Sequence, residues 1–109
     1  MAGVVKTMKV TTTITGDRAV LAIEGRFQYD AVMSFRQEME PLACNAQLNH
    51  MEIDFSRATY IDSSALGVLL VARDMARKNK KSIALIHCRD DVLQVLNIAR
   101  FDTLFTITS

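Results

Sequence analysis

Residues 63–78, Ser-Ser-Ala-Leu-Gly-Val-Leu-Leu-Val-Ala-Arg-Asp-Met-Ala-Arg-Lys, are the stretch that most restricts the folds open to this chain. At about 100° per residue, Ala65, Val68, Leu69, Val71, Ala72, Met75 and Ala76 gather on one side of a helix. Such a helix must lay that side on a core. Asp62 and Ser63 stand just before its apolar pattern, where short polar side chains accept backbone N–H groups left free in a first helical turn. Arg77 to Lys81, broken by Asn79, complements the negative C-terminal end and reads as a solvated helix end.

Around this helix the pattern alternates. Residues 9–13 and 18–24 are β-rich and flank the turn signal Thr15-Gly16-Asp17, so they predict a hairpin that ends at Gly25. Residues 30–40 carry Ala31, Val32, Phe35 and Met39 at helical spacing, with Pro41 near the end. Residues 50–55 alternate as a half-buried strand, and a loop is expected from Phe55 to Ser63. Residues 82–87 predict a buried strand, 90–99 a helix opened by Asp90 and Asp91, and 104–107 a short last strand. The order β-β-α-β-α-β-α-β implies an α/β domain whose later strands are parallel. In such sheets, sites collect where strands end and helices begin.

A chain of 109 residues that is 50% hydrophobic can bury a core as one domain, here taken as 1–109. The balance of 13 basic against 12 acidic residues argues against a nucleic-acid binder and against disorder. Cys44 and Cys88 form no dense framework and read as free, buried thiols, in keeping with a reducing compartment. Met1 to Val10 lacks the apolar core of a signal peptide, and no apolar run is long enough to span a bilayer. The expectation is a cytoplasmic protein without a membrane segment.

On the wheel, Ser63, Leu66, Gly67, Leu70, Arg73 and Arg77 form a stripe on the side away from the core. Two leucines beside a glycine and a capping serine suggest a docking patch. Glycine inside a helix costs about 1 kcal/mol against alanine, which the close approach of a partner backbone would explain. A phosphoryl group on Ser63 would add a charge of roughly −1.5 to −2. The helix N-terminus could hold it, while a partner over Leu66 and Leu70 would have to desolvate it. A penalty of about 2.8 kcal/mol is already a hundredfold loss of affinity.

The run Tyr60-Ile61-Asp62-Ser63-Ser64-Ala65-Leu66-Gly67-Val68-Leu69-Leu70 resembles the signature of the STAS domain of bacterial anti-sigma factor antagonists, commonly Asp-Ser-Ser-Gly-Leu-Gly. Val20 to Phe27 and Asp91 to Phe105 resemble its flanking segments. The resemblance implies a STAS fold, a mixed four- to five-stranded sheet packed with helices, with no cofactor; no metal is expected either, because no His, Cys or carboxylate cluster has ligand spacing. It implies phosphorylation at Ser63, with Asp62 and Ser64 supporting the site and Leu66, Gly67, Leu70 and Arg73 meeting a partner. That partner would be an anti-sigma factor that is also a serine kinase of the histidine-kinase-like ATPase type. A PP2C-type phosphatase would reverse the modification, and the unphosphorylated protein would release sigma factor. Ala65 stands where glycine is commoner. Gln28 stands where many relatives carry an aspartate, which leaves open whether Asp30 substitutes.

Two rival readings come from the same residues. As an enzyme, the chain would use Ser63 as nucleophile with His87 or His50 as base, although no Gly-x-Ser-x-Gly elbow is present. As a soluble STAS regulatory subunit, it would serve a transporter or another signalling complex.

Overall fold

The computed structural model describes residues 8–109. The reading of Met1 to Val10 as free of a targeting segment lies mostly outside these residues. Strand β1 (Met8–Thr15) pairs antiparallel with β2 (Arg18–Phe27). A single-turn 3-10 helix (Tyr29–Ala31) leads into α1 (Val32–Ala43). Then follow β3 (His50–Ile61), α2 (Ser63–Lys78), β4 (Ser82–Ile86) and α3 (Asp90–Ile98). A second 3-10 turn (Phe101–Thr103) precedes β5 (Thr106–Ile107). The sheet order is β1-β2-β3-β4-β5, with every pair after the first parallel.

The hairpin closes through Gly16 and Asp17, with Thr15 opposite Arg18. Gly16 sits at φ 60°, a left-handed conformation that a two-residue hairpin loop demands and glycine accepts without a Cβ penalty. The register then places Leu21, Ile53 and Leu85 side by side across three strands. All three are fully buried and join Phe35 and Met39 of α1 and Leu69 and Ala72 of α2 in one core. Alternate residues, Val20, Glu52 and Ala84, lie on the other face and are half-buried.

The element order agrees with the pattern in the sequence, and α2 occupies 63–78 as expected. Its wheel is also right: Ala65, Val68, Leu69, Ala72 and Ala76 are buried, with Val71 and Met75 packed against the core from its margin. Pro41 lies in the last turn of α1. At the end of α2, Lys78 and Lys80 are exposed, whereas Lys81 is buried.

Three local expectations need correction. Gly25 does not end β2; the strand continues to Phe27. Gly25 takes φ 95° at a shift of register, and the extension carries Phe27 into the core, its ring 5.0 Å from that of Phe35. The segment after Phe55 is not a loop. It continues β3 to Ile61 by pairing with this extension, through irregularities at Ala22/Glu24 and Gly25/Arg26. Finally, Cys88 is a buried thiol but Cys44 is exposed at the end of α1. Burial pushes the Cys88 thiol up to about 12, with the Asp54 carboxylate adding to the effect.

Candidate functional site at the start of helix α2

The lengthened β2 and β3 end side by side, with Phe27 paired to Ile61. The chain leaves both strands at the same place, and there Asp62 ties the two exits together. Its backbone N–H donates to the Phe27 carbonyl at 3.2 Å. Its Oδ1 accepts from the Ala65 amide at 2.9 Å, and its Oδ2 accepts from the Tyr29 amide at 3.0 Å. Asp62 is therefore the N-cap of α2 and the anchor of the 3-10 turn before α1 in a single carboxylate. The cap expected from sequence is present, and the second bond adds a role the sequence did not reveal.

With the cap supplied by Asp62, Ser63 is the first residue of α2 and is exposed; Ser64 follows and is half-buried. The Leu66 amide bonds to the Asp62 carbonyl at 3.1 Å. The amides of Ser63 and Ser64 are thus the ones at this helix start that Asp62 leaves open, pointing toward any anion held there.

Gln28, Tyr29, Asp30 and Asp62 line a depression of ≈ 260 Å³ beside this turn. Gln28 does not imitate an aspartate: its side-chain oxygen accepts from Arg26 Nε at 3.3 Å. The Arg26 guanidinium lies 4.2 Å from the centre of the Tyr60 ring. Asp30 and Asp62 make the immediate rim acidic.

Along α2 the predicted stripe divides. Gly67 is exposed, and a Cβ built there would meet nothing within 4 Å, so the fold itself imposes no need for glycine. Leu70 is 37% exposed. Leu66, expected on the solvent side, is instead half-buried and packed against the core margin. Arg73 is also less open than expected, because its Nε donates to the Leu104 carbonyl at 2.7 Å and holds the second 3-10 turn against α2. Leu104 is itself 37% exposed.

Sequence reasoning missed Tyr29 and Met33, which are 79% and 65% exposed at the entry to α1. Met33 falls outside the apolar stripe Ala31, Val32, Phe35 and Met39, and that was the available signal. The two histidines do not join Ser63. His50 stands at the far end of β3, bonded to Ser82 and near Asp17. At about 3.3 Å per residue, the length of β3 from His50 to Ile61 puts roughly 35 Å between it and the head of α2. His87 follows β4 and is exposed, with no hydrogen bond to Ser63. Among the described residues no group of three His, Cys, Asp or Glu side chains is placed to hold a metal ion, and no helix is long and apolar enough to cross a membrane.

A family model described as "Mlab, STAS domain" matches residues 10–107. A STAS-domain containing protein of Pseudomonas aeruginosa is 38% identical over 93 residues, which is 85% of this chain and 90% of the relative. An anti-sigma factor antagonist from Mycobacterium paratuberculosis has a similar fold, with TM-score 0.83 and 12% identity over 93% of this chain and 85% of that one. SpoIIAA in its unphosphorylated form gives a TM-score of 0.77 at 16% identity, covering 94% and 88%. The fold is shared as well with phosphorylated SpoIIAA of Bacillus and with a sulfate transporter family protein from Wolinella succinogenes, at TM-scores of 0.70 and 0.73. A mixed five-stranded sheet with three helices, a capped Asp-Ser-Ser turn at the head of α2 and a family match over nearly all of the described residues lead to one conclusion: the chain belongs to the STAS domain family, a family of non-enzymatic binding domains.

Proposed function

We propose that this chain is an anti-sigma factor antagonist whose binding to its partner is switched by phosphorylation of Ser63. The observation that carries the reading is the division of labour at the head of α2. Asp62 holds both strand exits with its carboxylate, and the neighbouring hydroxyl of Ser63 is open to solvent. Modification of that hydroxyl breaks no hydrogen bond of the fold. The partner is a serine kinase of the histidine-kinase-like ATPase type that also binds sigma factor. In the transfer, Ser63 Oγ forms a bond to the γ-phosphorus of ATP, the bond to ADP breaks, and the hydroxyl proton passes to a base of the kinase. A PP2C-type phosphatase hydrolyses the phosphoserine.

The effect on binding is electrostatic. The open amides of Ser63 and Ser64 and the positive end of α2 accommodate the new charge within the fold. A partner covering Gly67, Leu70 and the half-buried Leu66 must strip water from a dianion whose chain neighbour is the carboxylate of Asp62. Ser64 supports the site through its amide. Arg73 contributes less as a free charge than as the clamp that holds the Leu104 backbone against α2.

Protein isolated from its native cell should contain a fraction heavier by one phosphoryl group, mapped to the peptide holding Ser63 and absent from Ser63→Ala. Partner recovered on immobilised Ser63→Ala should equal or exceed that on wild type, while Ser63→Asp should recover at least tenfold less. Equal labelling of Ser63→Ala and wild type by a co-purified kinase would remove the assignment. A second reading keeps the surface and changes the partner: a regulatory subunit of a transporter, favoured by the fold shared with the Wolinella protein. Capture of a membrane-transport ATPase in place of a small ATP-binding kinase would select it.

A further inference from the structure

We propose that β1 is a self-pairing edge, through which two copies of this chain join their sheets antiparallel about a two-fold axis at Thr12. The inference is independent of the Ser63 reading.

The two edges of the sheet are unequal. β5 is two residues long, whereas β1 runs for eight residues with its outer side unpaired by any described strand. Long edge strands are ordinarily blunted by proline, a bulge or several charges. Among its described residues β1 has one charge, Lys9, no proline, and an unbroken register against β2 from Met8 to Thr15. Every second residue therefore directs an N–H and a C=O away from the sheet.

Ile14 is the second observation. It pairs with the buried Ala19, so it lies on the core face of the sheet, yet it is 52% exposed. The described residues leave about half of it open to solvent. At the other end of the same strand a groove of ≈ 320 Å³ runs between β1 and α1, lined by Met8, Lys9, Val10, Ser34, Gln37 and Glu38. The groove is on the same face, since Val10 pairs with the buried Ile23.

Antiparallel pairing of identical strands about Thr12 brings these two features together. Val10 then faces Ile14 of the second copy, and Ile14 faces the second Val10. Each exposed isoleucine enters the groove of the other protomer. The same register sets Thr11 against Thr13 on the opposite face and Lys9 against Thr15, so no like charges meet. The parity is also right, because even-numbered residues of both copies share the core face. An axis at Thr11 would instead set Ile14 against Met8, which is already buried, and leave the half-exposed Val10 facing Thr12. The occupant favoured by this complementarity is a second copy rather than an unrelated strand.

The test is sedimentation velocity of the full chain from micromolar to sub-millimolar concentration, with circular dichroism to confirm folding of each variant. Wild type should show a reversible monomer–dimer equilibrium. Ile14→Lys should weaken it roughly tenfold or more, since two symmetry-related apolar pairs are lost. Thr11 and Thr13 are both exposed on the other face, which permits a test of register that leaves the core untouched. Thr11→Lys with Thr13→Lys places like charges opposite each other and should abolish the dimer. Thr11→Lys with Thr13→Glu places opposite charges there and should keep or tighten it. A wild type that stays monomeric throughout, a dimer indifferent to Ile14→Lys, or two double variants that behave alike would each overturn the proposal.

Discussion

The starts of α2 and α3 face the same physical problem and solve it differently. Each helix follows a parallel strand and leaves first-turn amides to satisfy. At α2 the answer is a side-chain cap: Asp62 binds Ala65 within the helix and Tyr29 outside it. At α3 the N-cap is Arg89, whose side chain makes no cap bond and donates instead to the Ser56 carbonyl. Asp90 there takes φ 55°, and Asp90 and Asp91 supply charge rather than a cap. Both starts border depressions, that of α2 rimmed by acids and that of α3 by Arg57 and Arg89 together with the two aspartates. A rigid turn with an uncommitted hydroxyl can carry a modification and remain folded. A turn held by dispersed charges lacks such a hydroxyl and gains little from rigidity.

The sharpest way to break this contrast is Asp62→Ala. It removes the cap and leaves the Tyr29 amide without its acceptor, so stability should fall by about 2–3 kcal/mol in urea unfolding. A loss below about 0.5 kcal/mol would mean that the two starts are equivalent. Next in size is Leu66→Ala, which empties part of a site packed on the core and should cost about 1–2 kcal/mol. Leu70→Ala should cost less than Leu66→Ala while weakening partner binding more. The reverse order would place the docking surface elsewhere. At α3, Asp91→Ala removes only a charge near the helix start, and about 0.5 kcal/mol should be lost at low salt and less at high salt.

The smallest effect concerns a control carboxylate at the far end of β3. Asp17 is held below its ordinary value chiefly by the Asn49 side chain, which donates to Oδ2 at 2.9 Å, with the charge of His50 contributing. A depressed folded value contributes stability that is present above the unfolded value and lost as the pH falls through the folded one. Asn49→Ala should therefore move the Asp17 titration upward, toward its unfolded value, seen by carboxyl NMR, and shrink the share of the acid loss of stability that this carboxyl contributes. Both helix starts should be unaffected.

Most of the element order was legible because hydrophobic spacing is a local property. The period of 3.6 over 63–78 and the alternation over 50–55 were enough to place α2 and the first half of β3. The second half of β3 was not legible. Ser-Arg-Ala-Thr-Tyr-Ile has no clean alternation, and it is a strand because β2 extends past Gly25 to meet it, with Arg57 against Glu24 and Tyr60 under Arg26. The candidate site was half legible. Asp62 and Ser63 announced a cap, and the wheel separated Ser63, Gly67 and Leu70 from the core. It misjudged Leu66 and Arg73, because a wheel shows the side of a helix but not what the rest of the chain lays against its margins. The second 3-10 turn covers the Arg73 side, and the core margin reaches Leu66.

By itself, the sequence determined the period and polarity of each element, the cap at Asp62 and the family to which its central motif points. These depend on neighbours within one helical turn or one strand, so they are written in the order of residues. Tertiary structure decided that one carboxylate serves two strand exits, that β2 and β3 lengthen each other, and that Ile14 is left half-exposed at the edge. Each of these depends on residues brought together from distant parts of the chain, and only closure of the sheet and core sets those distances.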